Sequence, residues 1–193
     1  MLNGDTTAPH EDTDVTDVND IRKSFLGLRA HANDQSYRTD FTATSTANLR
    51  TMRSNMGKFG VDQMELIWIV GIKQYVKLLG LTEVITVDKY GDKATVITGE
   101  LAKFDGIPIV VGEKVREDLN ASGKFDNVTT NRRAQYLSRR DRWAIGDKRE
   151  VTLKVKVDDE TDQHILTATQ RVDFQPLDAI ATNRIVELGL FSD

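Results

Sequence analysis

The apolar run ELIWIV, residues 65–70, constrains the fold more than any other part of the chain. After Glu65 it has no alternation of polar and apolar residues, which predicts a strand that is buried on both faces. Such a strand needs a covering layer on each side of its sheet. Three stretches can supply helices, because apolar residues recur in them at helical spacing: residues 19–33, a segment from Ser45 to Gly60, and residues 73–79.

Segments rich in β-branched residues follow and predict a mixed sheet with helices packed over it. Residues 83–91 and 93–101 form one predicted pair, and residues 106–113 predict another buried strand. Further on, residues 134–145 form another β-rich segment, and residues 149–157 and 164–174 alternate apolar and polar residues, as a half-exposed antiparallel pair would.

Turn-forming residues separate these segments. Residues 116–131 are rich in Asn, Asp, Ser, Thr and Gly, which predicts a long exposed loop that carries function or contacts a partner. Gly146-Asp147 predicts a turn, in which the glycine takes a positive φ and the aspartate bonds the following backbone. Asp158-Asp159-Glu160 predicts a solvated turn between the last two strands.

The charge distribution bears on the class of partner. The formal net charge is −4, which argues against a chain that grips nucleic acid over its whole surface. A single basic cluster could add affinity for phosphates, but Asp141 and Asp147 lie within it, so contacts with protein carboxylates are favoured over nucleic acid. The cluster consists of Arg132, Arg133, Arg139, Arg140 and Arg142.

The sequence has no cysteine, no secretory signal and no run of apolar residues long enough to span a membrane, so a soluble cytosolic protein is expected. The acidic segment over residues 1–18 is expected to be extended and solvated, and it lacks the fixed ligand pattern of a calcium loop. The three histidines, His10, His31 and His164, lie far apart in sequence and are expected at the surface. Nucleophile motifs and phosphate-binding glycine loops are absent, so no enzyme signature is found.

Four segments together resemble a known family. The stretches GIPIVVGEKVREDLNASGKFD, RDRWAIGDKREVTL and DQHILTATQRVDFQPL, in that order and spacing, resemble the C-terminal part of tailed-phage major capsid proteins of the Hong Kong ninety-seven type. The opening LNGD and VNDIRKSFLGLRAHA resemble the segments that follow the long spine helix of those subunits. Each motif is weak alone, but four in register make a chance match improbable.

The resemblance implies an α+β fold with two parts. One is an axial-type domain, a mixed β-sheet flanked by helices, and the other is part of a peripheral-type domain made of antiparallel strands. The implied divisions are a polar acidic lead-in over residues 1–14, the axial-type domain over 15–135 including the exposed loop, and peripheral-type strands with a C-terminal tail over 136–193.

The resemblance also implies structural and interfacial roles for individual residues. Gly106 and Pro108 are expected at the entry to a sheet strand. The turn between peripheral strands and the returning strand are expected to contain Gly146, Asp147, Arg149, Arg171, Asp173 and Phe174. The residues of the loop expected to meet a partner are Arg116, Glu117, Asp118, Lys124 and Phe125.

The implied function is structural: a truncated phage or prophage major capsid subunit whose surfaces contact other capsid subunits in an icosahedral shell. An alternative is a shortened capsid relative that interferes with or reports on capsid assembly. The N-terminal arm, extended loop and spine helix of the family are unmatched, so the chain alone is expected to be monomeric or to form rings weakly. No enzyme activity, cofactor, membrane or sequence-specific nucleic acid is expected, and the implied location is a virion capsid or the bacterial host cytoplasm, without secretion.

Overall fold

The computed structural model describes residues 4, 12–17, 20–81, 84–85, 102–158 and 163–192. Most of the strand pair predicted over residues 83–101 lies outside these residues. The greater part of the predicted turn at 158–160 and the side chains of His10 and Glu11 lie outside them as well. No helix in the described part of the chain is long and apolar enough to cross a membrane.

Three α-helices occur within the described residues: α1 at Leu28–Asp34, α2 at Thr46–Asn55 and α3 at Ile72–Leu79. The sequence predicts α2 and α3 correctly, and Ser45 caps α2 by accepting a hydrogen bond from the Asn48 amide. The long helix predicted over residues 19–33 is wrong in its first half. Asp20 caps a separate 3₁₀ turn at Ile21–Lys23, and Gly27 is extended before α1 begins.

Nine strands lie in the described segments. In chain order they are β1 at Arg38–Phe41, β2 at Leu66–Val70, β3 at Val84–Ile85, β4 at Ala102–Phe104, β5 at Ile107–Val111, β6 at Arg133–Arg139, β7 at Trp143–Asp158, β8 at Gln163–Pro176 and β9 at Val186–Phe191. Seven of them form a mixed sheet in the order β1-β9-β6-β2-β5-β4-β3. Strand β2 pairs parallel with β5 and antiparallel with β6, which places the sequence's most apolar strand near the middle of the sheet.

Helices cover both faces of this sheet, but β2 is fully buried only on the face of Leu66, Trp68 and Val70, whereas Ile67 and Ile69 on its other face are half-buried. On one face, Leu49 and Met52 of α2 pack with Leu66 and Trp68 of β2. On the other, α1 packs against β6 and β9 through Leu28, Ala32, Tyr136 and Leu188. Gly189 of β9 allows α2 to approach closely, because a Cβ atom there would lie 2.5 Å from the Met52 Sδ. The seven-stranded sheet and its two helical layers are called the body below.

Two strands of the body, β1 and β9, lie far from every stretch predicted as a strand, and β4 lies just beyond the predicted segment 93–101. Strand β1 lies in a stretch expected to be a polar link, and β9 lies in the stretch expected to be a C-terminal tail. Both pair within the sheet, where β9 joins β1 to β6. Residues 136–139 and 186–191 therefore belong to the body sheet, although the expected division after residue 135 grouped them with the peripheral-type strands.

Strands β7 and β8 form a separate two-stranded antiparallel sheet, called the hairpin below. Their pairing runs from Trp143 opposite Pro176 to Asp158 opposite Gln163, and the register shifts between Asp147 and Thr152. The sequence predicts this antiparallel pair correctly. It does not predict the length of β7, which has 16 residues because the strand continues through Gly146-Asp147.

Candidate assembly surfaces

The hairpin presents an uncovered apolar face. Side chains alternate along a strand, and directly opposed residues share a face. Leu153 lies opposite Ala168 and Val155 lies opposite Leu166, so these four residues and Val151 share one face. On that face the four large residues are 60% to 70% exposed, namely Val151, Leu153, Val155 and Leu166. The opposite face carries Thr152, Lys154, Thr167 and Thr169.

Three aromatic rings hold the base of the hairpin on the body. Trp143, the first residue of β7, stacks on Phe174 of β8 with ring centroids 4.9 Å apart and planes within 9°. His31 of α1 packs against both, at 5.4 Å from Trp143 and 6.3 Å from Phe174. The Trp143 indole also donates a hydrogen bond to the Ser138 hydroxyl at 2.9 Å. This set of rings is called the aromatic joint.

His31 was expected at the surface, and that prediction is wrong. The residue is only 5% exposed, because α1 packs one side against the sheet and the hairpin base covers the ring. Burial lowers the pKa of His31, and the nearby Asp173 carboxylate acts in the opposite direction. His164, by contrast, is exposed on β8, as expected.

The acidic segment before α1 was expected to be fully solvated, and Asp12 contradicts this. Its carboxylate is 1% exposed and is held by the Arg29 guanidinium through two hydrogen bonds. Asp12 Oδ1 also accepts the Phe125 amide, and the Thr13 amide donates to the Phe125 carbonyl. The segment at residues 12–17 is therefore bound to both α1 and the loop at 116–131.

Arg116 connects this segment to the loop. Its guanidinium donates to Asp14 at 2.9 Å and to both oxygens of Asp118 at 2.8 Å, and it lies 4.2 Å from the centre of the Phe125 ring. Burial acts to raise the pKa of Asp14, but hydrogen bonds from Arg22 and Arg116 outweigh it and hold that pKa below its usual value. The hydrogen bond from Arg116 likewise lowers the pKa of Asp118. Asp12, Asp14, Arg29, Arg116 and Asp118 are called the ionic cluster.

Glu117 has a different structural role. Its Oε1 atom accepts the amides of Lys73 and Gln74, which are among the free donors at the start of α3. A Cβ atom at Gly71 would lie 2.5 Å from the same oxygen, so the close approach needs glycine there. The carboxylate therefore fixes the loop against the N-terminus of α3.

These contacts change the expected picture of the loop. Arg116, Glu117 and Asp118 are half-buried and bonded within the chain, as are Lys124 and Phe125, whose amides donate to Asn120 and Asp12. The outward parts of the loop are residues 121–122 and 127–131, all of which are exposed, with Val128 at 86%. The sequence identified a polar loop but could not separate its inward residues from its outward ones.

Gly106 and Pro108 lie where the sequence placed them, at the entry to β5. Asp105 and Gly106 form the turn between β4 and β5, and Gly106 has a φ of +79°, which favours glycine. Pro108 is buried opposite Lys103.

The expected turn at Gly146-Asp147 is wrong, because both residues lie inside β7. Gly146 pairs with Asp173 and Asp147 pairs with Val172, and Gly146 does not have a positive φ. The chain turns instead between β6 and β7, over residues 140–142. Of the other expected residues, Arg149 pairs with Arg171 next to the register shift, whereas Phe174 belongs to the aromatic joint and Asp173 lies beside it.

Three arginines of the basic cluster pair with carboxylates, as expected, but these carboxylates belong to the same chain. Arg132 binds Asp40, Arg139 binds Asp141, and Arg142 contacts both Asp141 and Asp178. Arg140 donates to the Met64 carbonyl. These side chains therefore reinforce the body and the turn into the hairpin.

No protein-family model and no curated protein matches the sequence. Solved structures do match. The chain superposes on the mature capsid of bacteriophage PhiM1 with a TM-score of 0.53 and 13% identity, over 81% of this chain and 51% of that chain. For the procapsid of satellite phage P4, which includes the size determination (Sid) protein, the TM-score is 0.54 with 10% identity, over 100% of this chain and 61% of that chain. For the capsid of cyanophage P-SCSP1u the TM-score is 0.53 with 12% identity, over 86% of this chain and 61% of that chain.

The chain thus spans between half and about three fifths of the length of these capsid chains. The matched portion includes at least four fifths of this chain, so it takes in most of the body described above. The polypeptide has the fold of bacteriophage capsid subunits of the Hong Kong ninety-seven type, as its sequence resemblance predicted.

Proposed function

We propose that the protein is a structural subunit of a capsid-type shell, without catalytic activity. In this proposal the apolar face of the hairpin is covered by neighbouring capsid-type subunits. The observation that carries it is the bare apolar face on a chain that has the capsid fold. A virion capsid is then the place where the protein acts.

The energetics of the hairpin support a covered state. A two-stranded sheet is marginal in water unless a further layer packs on it. The four large side chains of the apolar face are each more than half exposed. Covering them would contribute about 1 to 2 kcal/mol each, since full burial of a Val or Leu side chain is worth about 1.5 to 3 kcal/mol. The apolar face is therefore a stronger source of association energy than the polar opposite face of the hairpin.

The small size of the apolar face favours weak association of the chain with copies of itself. Four large side chains make a patch well below the roughly 800 Å² per partner of a standard stable interface. We therefore expect a monomer in dilute solution and association at high concentration. The exposed loop residues 127–131 form a second expected contact, with Val128 as its apolar residue.

Sedimentation and light scattering over a wide range of concentration, combined with electron microscopy under crowding, test this function. The chain should be monomeric when dilute and should form rings weakly when concentrated. The double variant Leu153→Gln, Leu166→Gln should lose this association. Its matched control, Lys154→Gln with Thr167→Val on the opposite face, should keep it.

Two results would contradict the proposal. One is a tight two-fold dimer that persists in dilute solution, and the other is association that the apolar-face variant leaves unchanged. No observation on the described residues favours the regulatory alternative, and the solved capsid structures do not support it.

A further inference from the structure

The aromatic joint is a narrow connection between two very different parts of the molecule. A groove with a volume of about 560 Å³ separates the turn at residues 21–25 from the hairpin base at Gly146 and residues 170–173. On that side the hairpin does not pack tightly on the body. Its base is held instead by the rings of His31, Trp143 and Phe174.

His31 is the titratable member of the joint. Among the described residues, its Nε2 atom is buried and has no hydrogen-bond partner. A neutral imidazole packs in such a place like any aromatic ring. A protonated imidazole would bring a charge and a second N–H donor into it, and burying a charge without a full partner is strongly unfavourable.

The charged groups around the ring do not remove this cost. Asp173, at the base of β8, favours the protonated form, but its oxygens already accept the Phe174 amide and the Gln175 side chain. Arg29 on the same helix is paired with Asp12, and Arg142 beside Trp143 is paired with Asp141 and Asp178. The ring faces of Trp143 and Phe174 would attract an imidazolium, but this attraction is smaller than the cost of removing the charge from water.

We propose that His31 makes the aromatic joint pH-sensitive: the neutral ring fastens the hairpin to the body, and protonation in mildly acidic solution releases it. The hairpin then reorients while the body stays folded. This device belongs to the single chain and does not depend on whether the chain forms a shell.

The direction with pH follows from the lowered pKa of His31. When the joint is open the ring is solvated and takes up a proton near its ordinary value of 6.5, whereas the closed joint takes it up only at lower pH. The joint is fully fastened above pH 6.5 and loosens as the pH falls towards the closed-state pKa. Within that window the open fraction rises by at most about tenfold per pH unit, the limit for one proton.

A nuclear magnetic resonance titration of the unaltered chain tests this directly. Signals of the His31 ring and the Trp143 indole are followed from pH 8 to pH 4.5, with Trp68→Phe used to assign the indole and His164 as the exposed reference. We expect His31 to titrate below 6.5 and the Trp143 signal to move with it. Titration of His31 at or above 6.5, or a Trp143 signal that ignores it, would overturn the proposal.

Hydrogen exchange provides the second test. Amides at residues 142–146 and 172–177 should lose protection between pH 7 and pH 5 relative to the β2 amides at residues 66–70. In His31→Phe this relative change should vanish, and Asp173→Asn should move it to lower pH. His31→Leu replaces the Phe variant if the latter does not fold. If the relative protection of these amides changed with pH in the same way in the wild type and in the His31 variant, the proposed role of His31 would be refuted.

Discussion

The body and the hairpin use the same secondary structure in opposite ways. Strand β2 lies in a sheet with both faces covered, and its Trp68 is 1% exposed. Strand β7 pairs with a single neighbour, and its Leu153 is 69% exposed. The body thus contains its own stabilising layers, whereas the hairpin depends on its backbone ladder, on the aromatic joint and, in the proposed shell, on the neighbours that would cover its apolar face.

The largest expected contrast comes from paired truncations in the two regions. Trp68→Ala should lower the free energy of unfolding by about 3 to 5 kcal/mol, because it leaves a large cavity in a core that cannot collapse. Leu153→Ala should change it by less than about 0.5 kcal/mol, because that side chain is already in water. Urea denaturation of both variants measures the difference, and similar losses in the two would break the comparison.

The ionic cluster extends the buried body to the segment before α1. Asp12→Asn should lower the free energy of unfolding by about 3 kcal/mol, because it replaces the carboxylate that pairs with the buried Arg29 charge by a neutral amide. Glu113→Gln is the matched control, since Glu113 pairs with Lys114 at an exposed site and should cost almost nothing. Thermal unfolding compares the two, and equal melting temperatures would mean that the Asp12 contact is not structural.

Acid should weaken the same cluster. The pKa values of Asp14 and Asp118 lie below the ordinary 3.8, so their contribution is fully present above pH 3.8 and is lost as the pH falls through their folded-state values. Arg116→Gln should cost about 1 kcal/mol at pH 6, given the solvent screening of these partly exposed carboxylates, and less at pH 3. Unfolding free energies at both pH values check this. A difference in unfolding free energy between the wild type and Arg116→Gln that is larger at pH 3 than at pH 6 would contradict this prediction.

Two glycines sharpen the comparison at the level of the backbone. Gly146→Ala should change the unfolding free energy by less than about 0.5 kcal/mol, because the hairpin backbone is extended there and a Cβ atom would meet open space. Gly106→Ala should cost about 1 kcal/mol or more, because φ is +79° in the turn before β5. Chemical denaturation separates these outcomes, and a cost at Gly146 matching that at Gly106 would restore the turn predicted from the sequence.

Prediction from the sequence succeeds where the local pattern of apolar residues matches the burial of those residues in the fold. Strands β2 and β5 were correct because each is a short continuous apolar run, and helices α2 and α3 and the pairing of β7 with β8 were correct because each has a clear helical or alternating period. Strand β9 was missed because Glu187 interrupts its apolar run. In the structure that carboxylate is buried and satisfied by Arg184, Thr39 and Asn55, which come from three different segments.

The parts of the candidate surfaces that were missed share a physical cause. Asp12 and His31 are polar residues whose burial depends on partners far away in sequence, Arg29 and Phe125 for the first and Trp143 and Phe174 for the second. No local pattern distinguishes such residues from solvated ones. Gly146-Asp147 was mistaken for a turn because the dipeptide has turn chemistry, but tertiary pairing with β8 overrode that preference.

The central claim is that the apolar face of the hairpin becomes covered in an assembly of capsid-type subunits. The chain has no cysteine, so Leu153→Cys and Lys154→Cys each introduce a unique thiol on one face of the hairpin. Thiol labelling rates are then compared between the isolated chain and assembled particles. Labelling at position 153 should slow by at least about tenfold on assembly, since an interface core excludes water, and position 154 should change little. Equal labelling of position 153 in both states would contradict the account.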